Sequence, residues 1–353
     1  MLVGIPKEQK QGECRVAITP ESVKRLIGAG IEVVIESTAG VGSGYSDQDY
    51  KQAGAVIANQ EKVWEAELIL KVKEPMPSEY HLFKENQVIW GFLHLAANPE
   101  CVKVMVEKHV CAIASENIVI DGSFQLLKPV SEIAGRKALF TAVHYLEAQN
   151  GGSGILLSGT SVAKPGVVTI LGGGVVAQNA CDMALAIGAS VNILEINDTQ
   201  IENLKVKYDG KNVTIIKSTS KSIYDCCVAA DAVISTVLIP GGNPPKLITK
   251  EIVAAMKEGS VIVDVSSDQG GTCETLTSAT SHAQPTVIVD GVVHYAVPNM
   301  PASVPRTATN SIQGVIDLII ELYQTGIENI NNTSTINSGI QVKDGKVVNQ
   351  KLV

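Results

Sequence analysis

The string Gly172–Gly173–Gly174–Val175–Val176–Ala177 follows the apolar run Val167–Leu171 and opens a helical pattern. A G-x-G-x-x-G/A string alone is a weak signal. Here a strand precedes it, a helix follows it, and a second strand ends in Glu195, 23 residues after Gly172. That full unit is specific for a dinucleotide. Gly172 permits the tight turn, and Gly174 lets backbone N–H groups approach a pyrophosphate with no Cβ in the way. Ala177 is small enough for the helix to pack closely on its sheet. The unpaired N–H groups and positive dipole end of that helix then face phosphate. A carboxylate at Glu195 can bond both ribose hydroxyls and would repel a 2′-phosphate, so NAD is favoured over NADP. The competing reading is a glycine-rich turn that serves packing alone.

Four further groups stand just beyond strand-like runs. Arg15 lies in Glu13–Cys14–Arg15–Val16–Ala17, Lys73 follows Leu68–Val72, His94 follows Val88–Leu93, and Asp268 follows Val261–Val265 and precedes Gln269–Gly270–Gly271. In open parallel sheets ligands bind beyond the carboxyl ends of strands, where all four would fall. Singly, each has a plainer use: a surface cation, a partner for Glu74, a core histidine, a turn former. Together they supply two cations for a carboxylate and a carbonyl, one proton carrier tunable near neutral pH, and one carboxylate.

These groups require elements to position them. Short apolar runs at Leu2–Ile5, Glu32–Ile35, Glu67–Val72, Gln87–Phe92 and Val110–Ala114 alternate with helical patterns at Pro20–Ile27, Ser78–Lys84 and Pro99–Lys108. A second alternating series begins after the helix Ser131–Gln149 and the break Gly151–Gly154. It predicts strands at Val167–Leu171, Ser190–Ile196, Val213–Ile216, Asp231–Ser235, Ser260–Val265 and Thr286–Val289. Such alternation means α/β architecture with mostly parallel sheets covered on both faces. Thr309–Tyr323 reads as one long amphipathic helix. With the Asn-, Ser- and Gly-rich tail from Gly326, it has to pack on something, and the N-terminal sheet is the expected support. Gly166–Leu194 carries only Asp182 as a charge, but the four glycines in its first nine residues and its changing period describe a strand–loop–helix–strand rather than a membrane span.

The 353 residues favour two domains. A formal net charge of −8 argues against a nucleic-acid partner and means that an anionic substrate has to be held by local cations. Seven cysteines with no Cys-x-x-Cys pair argue against a disulfide framework or thiolate zinc site, and for a reducing, cytoplasmic setting. No signal peptide is visible at MLVGIPKEQK. His81, His109, His144, His282 and His294 share no metal-ligand spacing, so no metal is expected. Cys226–Cys227, in a helical run, read as packing residues.

The chain resembles the alanine dehydrogenase family over essentially its whole length. The resemblance rests on Gly4–Glu8, Arg15–Ala17, Thr19–Pro20, Val72–Pro75, Phe92–Ala96, Ser131–Arg136, Asp268–Gly271 and Asn299–Pro305. It implies two Rossmann-like, doubly wound parallel-sheet domains. One is a discontinuous substrate domain at 1–130 and 305–353, the other an NAD-binding domain at 131–304, usually in a homohexamer. The implied reaction interconverts L-alanine with pyruvate and ammonium by hydride transfer with NAD, without membrane or nucleic-acid partners. Arg15 and Lys73 match the residues that hold the substrate carboxylate and carbonyl, with Asn299 also on the substrate. His94 and Asp268 match the catalytic pair. Cofactor contacts fall on Ser131, Gly172, Gly174, Val175, Val176, Ala177, Glu195, Ser218, Val237 and Leu238, on Val265, Ser266 and Ser267, and on Val297, Pro298 and Met300. Two positions depart from the family pattern. Val130 replaces a methionine found in some members beside the substrate methyl. Gln200 stands where a basic residue can sit near the adenosine ribose, in keeping with Glu195 and against a 2′-phosphate. Soluble transhydrogenase domains and saccharopine-type dehydrogenases share the architecture, and a non-catalytic dinucleotide-binding protein is the alternative of a different class.

Overall fold

The computed structural model describes residues 1–237, 244–332 and 334–349. The chain divides into two compact units, Met1–Val130 with Ala302–Val353, and Ser131–Pro301.

Among the described residues the first unit builds an eight-stranded sheet. Its strands are β1 (Leu2–Ile5), β2 (Glu32–Glu36), β3 (Val56–Ala58), β4 (Leu68–Lys73), β5 (Val88–Phe92), β6 (Cys111–Ala114), β14 (Ile340–Lys343) and β15 (Lys346–Val347). Their order is β15-β14-β6-β5-β4-β1-β2-β3. The strands from β3 to β6 are parallel, with Val3 opposite both Val33 and Leu68, and Lys73 opposite Phe92. The helix Pro20–Gly28 begins as its sequence predicts: Pro20 takes the first position and the Thr19 side chain accepts from Ser22 N. Ile5, Ile35, Leu68, Trp90, Ile316 and Leu322 share one core on one face of the sheet, and Trp64, Ile69, Ile89 and Met105 share another.

Two features depart from the sequence reading. The long amphipathic pattern is two helices, Pro305–Ser311 and Val315–Thr325. Gln313 lies between them, and its amide donates to Thr309 O at 2.6 Å and Ala17 O at 3.2 Å while accepting from Thr19 N at 3.1 Å. These bonds tie the break to the loop after Arg15. The polar tail also does more than pack, because β14 joins β6 antiparallel and turns into β15.

The second unit has a seven-stranded sheet among its described residues. Its strands are β7 (Val167–Leu171), β8 (Ser190–Glu195), β9 (Val213–Lys217), β10 (Ala232–Ser235), β11 (Val261–Asp264), β12 (Thr286–Val289) and β13 (Val292–Tyr295). The order is β12-β13-β11-β10-β7-β8-β9, parallel except for the hairpin β12–β13. The uncharged stretch 166–194 is β7, the helix Val175–Ala186 and β8. No helix among the described residues is long and apolar enough to cross a membrane. The helix Lys128–Tyr145 begins three residues earlier than Ser131.

Candidate active site

Each sheet has a topological switch point, where successive crossovers leave in opposite directions and open a crevice at the carboxyl ends of the strands. In the first unit it lies between β1 and β4, and in the second between β7 and β10.

The first crevice is cationic. Lys73 is the last residue of β4 rather than the first beyond it, and it is 7% exposed. Arg15 lies on the loop that leaves β1 and is buried rather than a surface cation, at 3% exposure. Its guanidinium bonds Glu13 through Nε at 2.7 Å and through a terminal nitrogen at 2.5 Å, a fork on a fully buried carboxylate. Lys10 pairs with Glu74 at 2.6 Å, so Glu74 has a partner other than its neighbour Lys73. His94 follows β5 in left-handed backbone, φ 43° and ψ 44°. Its N–H donates to Glu116 Oε1 at 2.7 Å, and Leu93 N donates to Oε2 at 3.2 Å. Burial, then the positive charges of Lys73, Lys10 and Arg15, pushes the imidazole pKa down to about 3. The ring is therefore neutral at physiological pH, with 39% of its side-chain surface open to water. It is not a core histidine. Burial raises the Glu116 carboxyl above its ordinary range, against the N–H groups that it accepts.

Beneath this cluster lies a buried ionic triad. Lys71 Nζ meets Glu79 Oε1 at 2.9 Å and Glu8 Oε2 at 3.3 Å. Glu8 Oε1 also accepts from Val72 N at 2.6 Å, and Glu79 Oε2 from Met76 N at 2.7 Å. The triad thus ties the segment approaching Arg15 to the strand that ends in Lys73.

In the second unit Gly172 has φ +99°, and a Cβ there would meet Thr236 Oγ1 at 2.9 Å. A Cβ on Gly173 would meet Leu204 at 2.7 Å and Glu195 Oε2 at 2.8 Å. Gly174 faces open space and precedes the helix Val175–Ala186 with no side-chain cap, leaving its first N–H groups available to an anion. Ala177 is fully buried. Glu195 ends β8, and its Oε1 accepts from Ile196 N and Asn197 N at 2.7 and 2.8 Å, while Ser218 N donates to its carbonyl at 2.8 Å. Gln200 donates to Gly173 O at 2.6 Å, so it braces the glycine loop.

Val237 follows β10, and Leu238 lies outside the described residues. Val265, Ser266 and Ser267 follow β11, and Asp268 contributes its backbone to the turn Ser267–Gln269. Val297, Pro298, Asn299 and Met300 follow β13, with Asn299 at φ 57°. Ser131 lies in the helix Lys128–Tyr145, and Gly135 of that helix approaches Val176 so closely that a Cβ would stand 2.1 Å from its carbonyl oxygen. A dinucleotide fits this unit: the glycine turn is a cradle a side chain would fill, and Ser267 Oγ and Gln269 Oε1 are buried with no hydrogen-bond partner among the described residues.

Sequence reasoning did not single out Glu13, Lys10, Glu116 or the Lys71 triad. Glu13 had a local signal, an acid two residues before a cation in an apolar setting. Glu116 had none, because the loop it clamps lies 22 residues away in sequence.

The sequence matches the alanine dehydrogenase/PNT N-terminal domain over residues 4–134 and the alanine dehydrogenase/PNT C-terminal domain over residues 138–350. It is 47% identical over 357 aligned residues to alanine dehydrogenase 1 of Staphylococcus aureus, covering 100% of this chain and 96% of that one. Among solved structures, an L-alanine dehydrogenase superposes with a TM-score of 0.95 at 41% identity, covering 100% and 98% of the two chains. A transhydrogenase from Sinorhizobium meliloti superposes at 0.84 with 25% identity, covering 99% of each. Both domain families in order, full-length likeness and a fold shared end to end lead to one conclusion: the chain belongs to the alanine dehydrogenase/PNT family.

Proposed function

We propose that the chain catalyses the NAD-dependent oxidative deamination of L-alanine to pyruvate and ammonium, and the reverse reductive amination. The observation that carries this reading is the cationic crevice of the first unit. Arg15, Lys73 and His94 stand at the carboxyl ends of three neighbouring strands in a chain of net charge −8. Local cations, with Arg15 oriented by Glu13, offer a small carboxylate the partners that a chain of net negative charge does not supply elsewhere by its overall field. The relatives named alanine dehydrogenase direct the choice to alanine.

Arg15 binds the substrate carboxylate, oriented by its fork on Glu13. Charge-assisted bonds of this kind contribute roughly 1.5–3 kcal/mol each. Lys73 donates to the carbonyl oxygen, and Asn299 contacts the substrate. In the amination direction, ammonia adds to the carbonyl carbon and the oxygen departs as water. His94 and Asp268 carry the protons of that exchange. A neutral imidazole holds one nitrogen as donor and one as acceptor, so His94 can both take and return a proton. The dinucleotide, when bound, supplies the hydride acceptor or donor. Ser131, Gly172, Gly174, Val175, Val176, Ala177, Gln200, Ser218, Val237, Val265, Ser266, Ser267, Val297, Pro298 and Met300 would hold it, with Glu195 on the ribose hydroxyls. The resemblance to the alanine dehydrogenase family favours a homohexamer, and seven cysteines with no Cys-x-x-Cys pair favour a cytoplasmic setting.

NADH consumption in the presence of pyruvate and ammonium tests the reading. Loss of absorbance that requires all three components supports it. No consumption sinks it, and hydride passing instead to a second dinucleotide would favour the transhydrogenase side of the family.

A further inference from the structure

The loop after β11 is held from two sides by opposite charges. Asp264, 1% exposed, accepts from Ser266 N at 3.0 Å through Oδ1. Through Oδ2 it accepts from Thr272 N at 2.6 Å and from Thr272 Oγ1 at 3.1 Å. Its carboxylate thus closes both ends of the segment. Gly271 makes the approach possible, because a Cβ there would stand 2.8 Å from Asp264 Oδ2 and its φ is +66°. The carbonyl groups of the same segment converge on Lys246, whose ammonium donates to Gly270 O at 2.6 Å, Gly271 O at 3.0 Å and Cys273 O at 3.2 Å. An ammonium has three protons, and three carbonyls take them. Between these anchors sits the turn Ser267–Gln269 with Asp268 at its centre, flanked by the unpartnered buried atoms Ser267 Oγ and Gln269 Oε1. Packing alone explains neither the doubled anchoring nor the orphaned polar atoms. A segment held rigid to present polar groups to a ligand explains both.

We propose that Asp264 and Lys246 are positioning residues that together fix the loop carrying Asp268, one holding its N–H groups and the other its carbonyls. This rests on the reading that Asp268 acts in the reaction. The physical gain is preorganisation: a misplacement of about 1 Å at a reacting group can cost on the order of 100-fold in rate.

The test is a double-mutant cycle on the full-length protein, reading kcat and KM separately for the amination direction. Lys246→Met is an exposed change that leaves the core intact, which an unaltered thermal midpoint verifies. It should lower kcat about tenfold or more in the native background and less than about twofold in a D268N background, since the effect acts through Asp268. Asp264→Asn retains the shape but offers one acceptor for two N–H donors, and should behave alike. A folded K246M with native kcat, or a K246M loss of equal size in both backgrounds, overturns the inference. Native turnover in D268N itself is a different failure, because it removes Asp268 from the reaction whatever holds its loop.

Discussion

The backbone N–H of His94 donates to Glu116 Oε1 at 2.7 Å, which pins a histidine in left-handed backbone that few non-glycine residues adopt. The same carboxyl group holds Leu93 N, so two consecutive N–H groups depend on one side chain. Replacing Glu116 with Gln leaves one acceptor oxygen for two donors. The change should cost about 1–3 kcal/mol of stability, read by urea unfolding. It should also lower turnover while leaving NADH affinity unchanged, because the glycine loop belongs to the other unit. Native turnover in E116Q would show that His94 is held by other means.

Lys71→Met should be among the most damaging single changes. It strips the cation from the buried carboxylates of Glu8 and Glu79, and breaking a buried pair in this way costs about 3–5 kcal/mol. The pH dependence has a definite sign. Burial already raises the pKa of Glu8, and loss of Lys71 removes the attraction that opposes this. A carboxyl whose folded pKa lies above its unfolded value destabilises at high pH and is relieved as pH falls and it protonates. The deficit of K71M relative to wild type, from denaturation at a series of pH values, should therefore shrink between neutral and mildly acidic pH. A constant deficit would mean that the carboxylates had found other partners.

His94 should limit acid stability. Its pKa falls from an ordinary 6.5 to about 3 on folding, through burial and then Lys73, Lys10 and Arg15. The unfolded chain binds the extra proton between those values, so stability falls as pH drops through that window. Replacing His94 with Asn should flatten this part of the stability curve and abolish turnover. Binding of a substrate carboxylate among the same cations offsets their charge and raises the histidine pKa, so the acid limb of kcat should lie at higher pH than that of kcat/KM. Coincident limbs would contradict this.

Glu195→Gln should narrow the preference for NADH over NADPH, measured as the ratio of kcat/KM values. Removing the charge lifts its repulsion of a 2′-phosphate, while Gln retains an acceptor for the neighbouring N–H groups of Ile196 and Asn197. An unchanged ratio would assign ribose discrimination to another group.

Much of this arrangement was legible in the sequence. The glycine loop, its strand and its helix are local, and local patterns carry their own geometry. Arg15, Lys73 and His94 were visible as polar groups beside apolar runs. What escaped was tertiary. Periodicity through Thr309–Tyr323 shows which face is apolar, but not that Gln313 breaks the helix to bond Ala17 and Thr19 across nearly 300 residues. The polar tail has no strand signature because β14 is short and draws its stability from the edge of β6. The acids Glu116 and Glu79 carry no sequence signal of their own, since composition cannot reveal that a pair of N–H groups or a cation awaits them inside.

The return of residues 302–349 to the first sheet sets a timetable for synthesis. Residues 131–301 form a contiguous unit that can close while the ribosome is still reading the message. The first unit is incomplete until its last elements are made, because β6 keeps a bare edge until β14 emerges. The crevice of Arg15, Lys73 and His94 is thus completed last, although its residues are translated first. The nascent chain passes through a stage in which its dinucleotide half can be folded and its cationic half has yet to close.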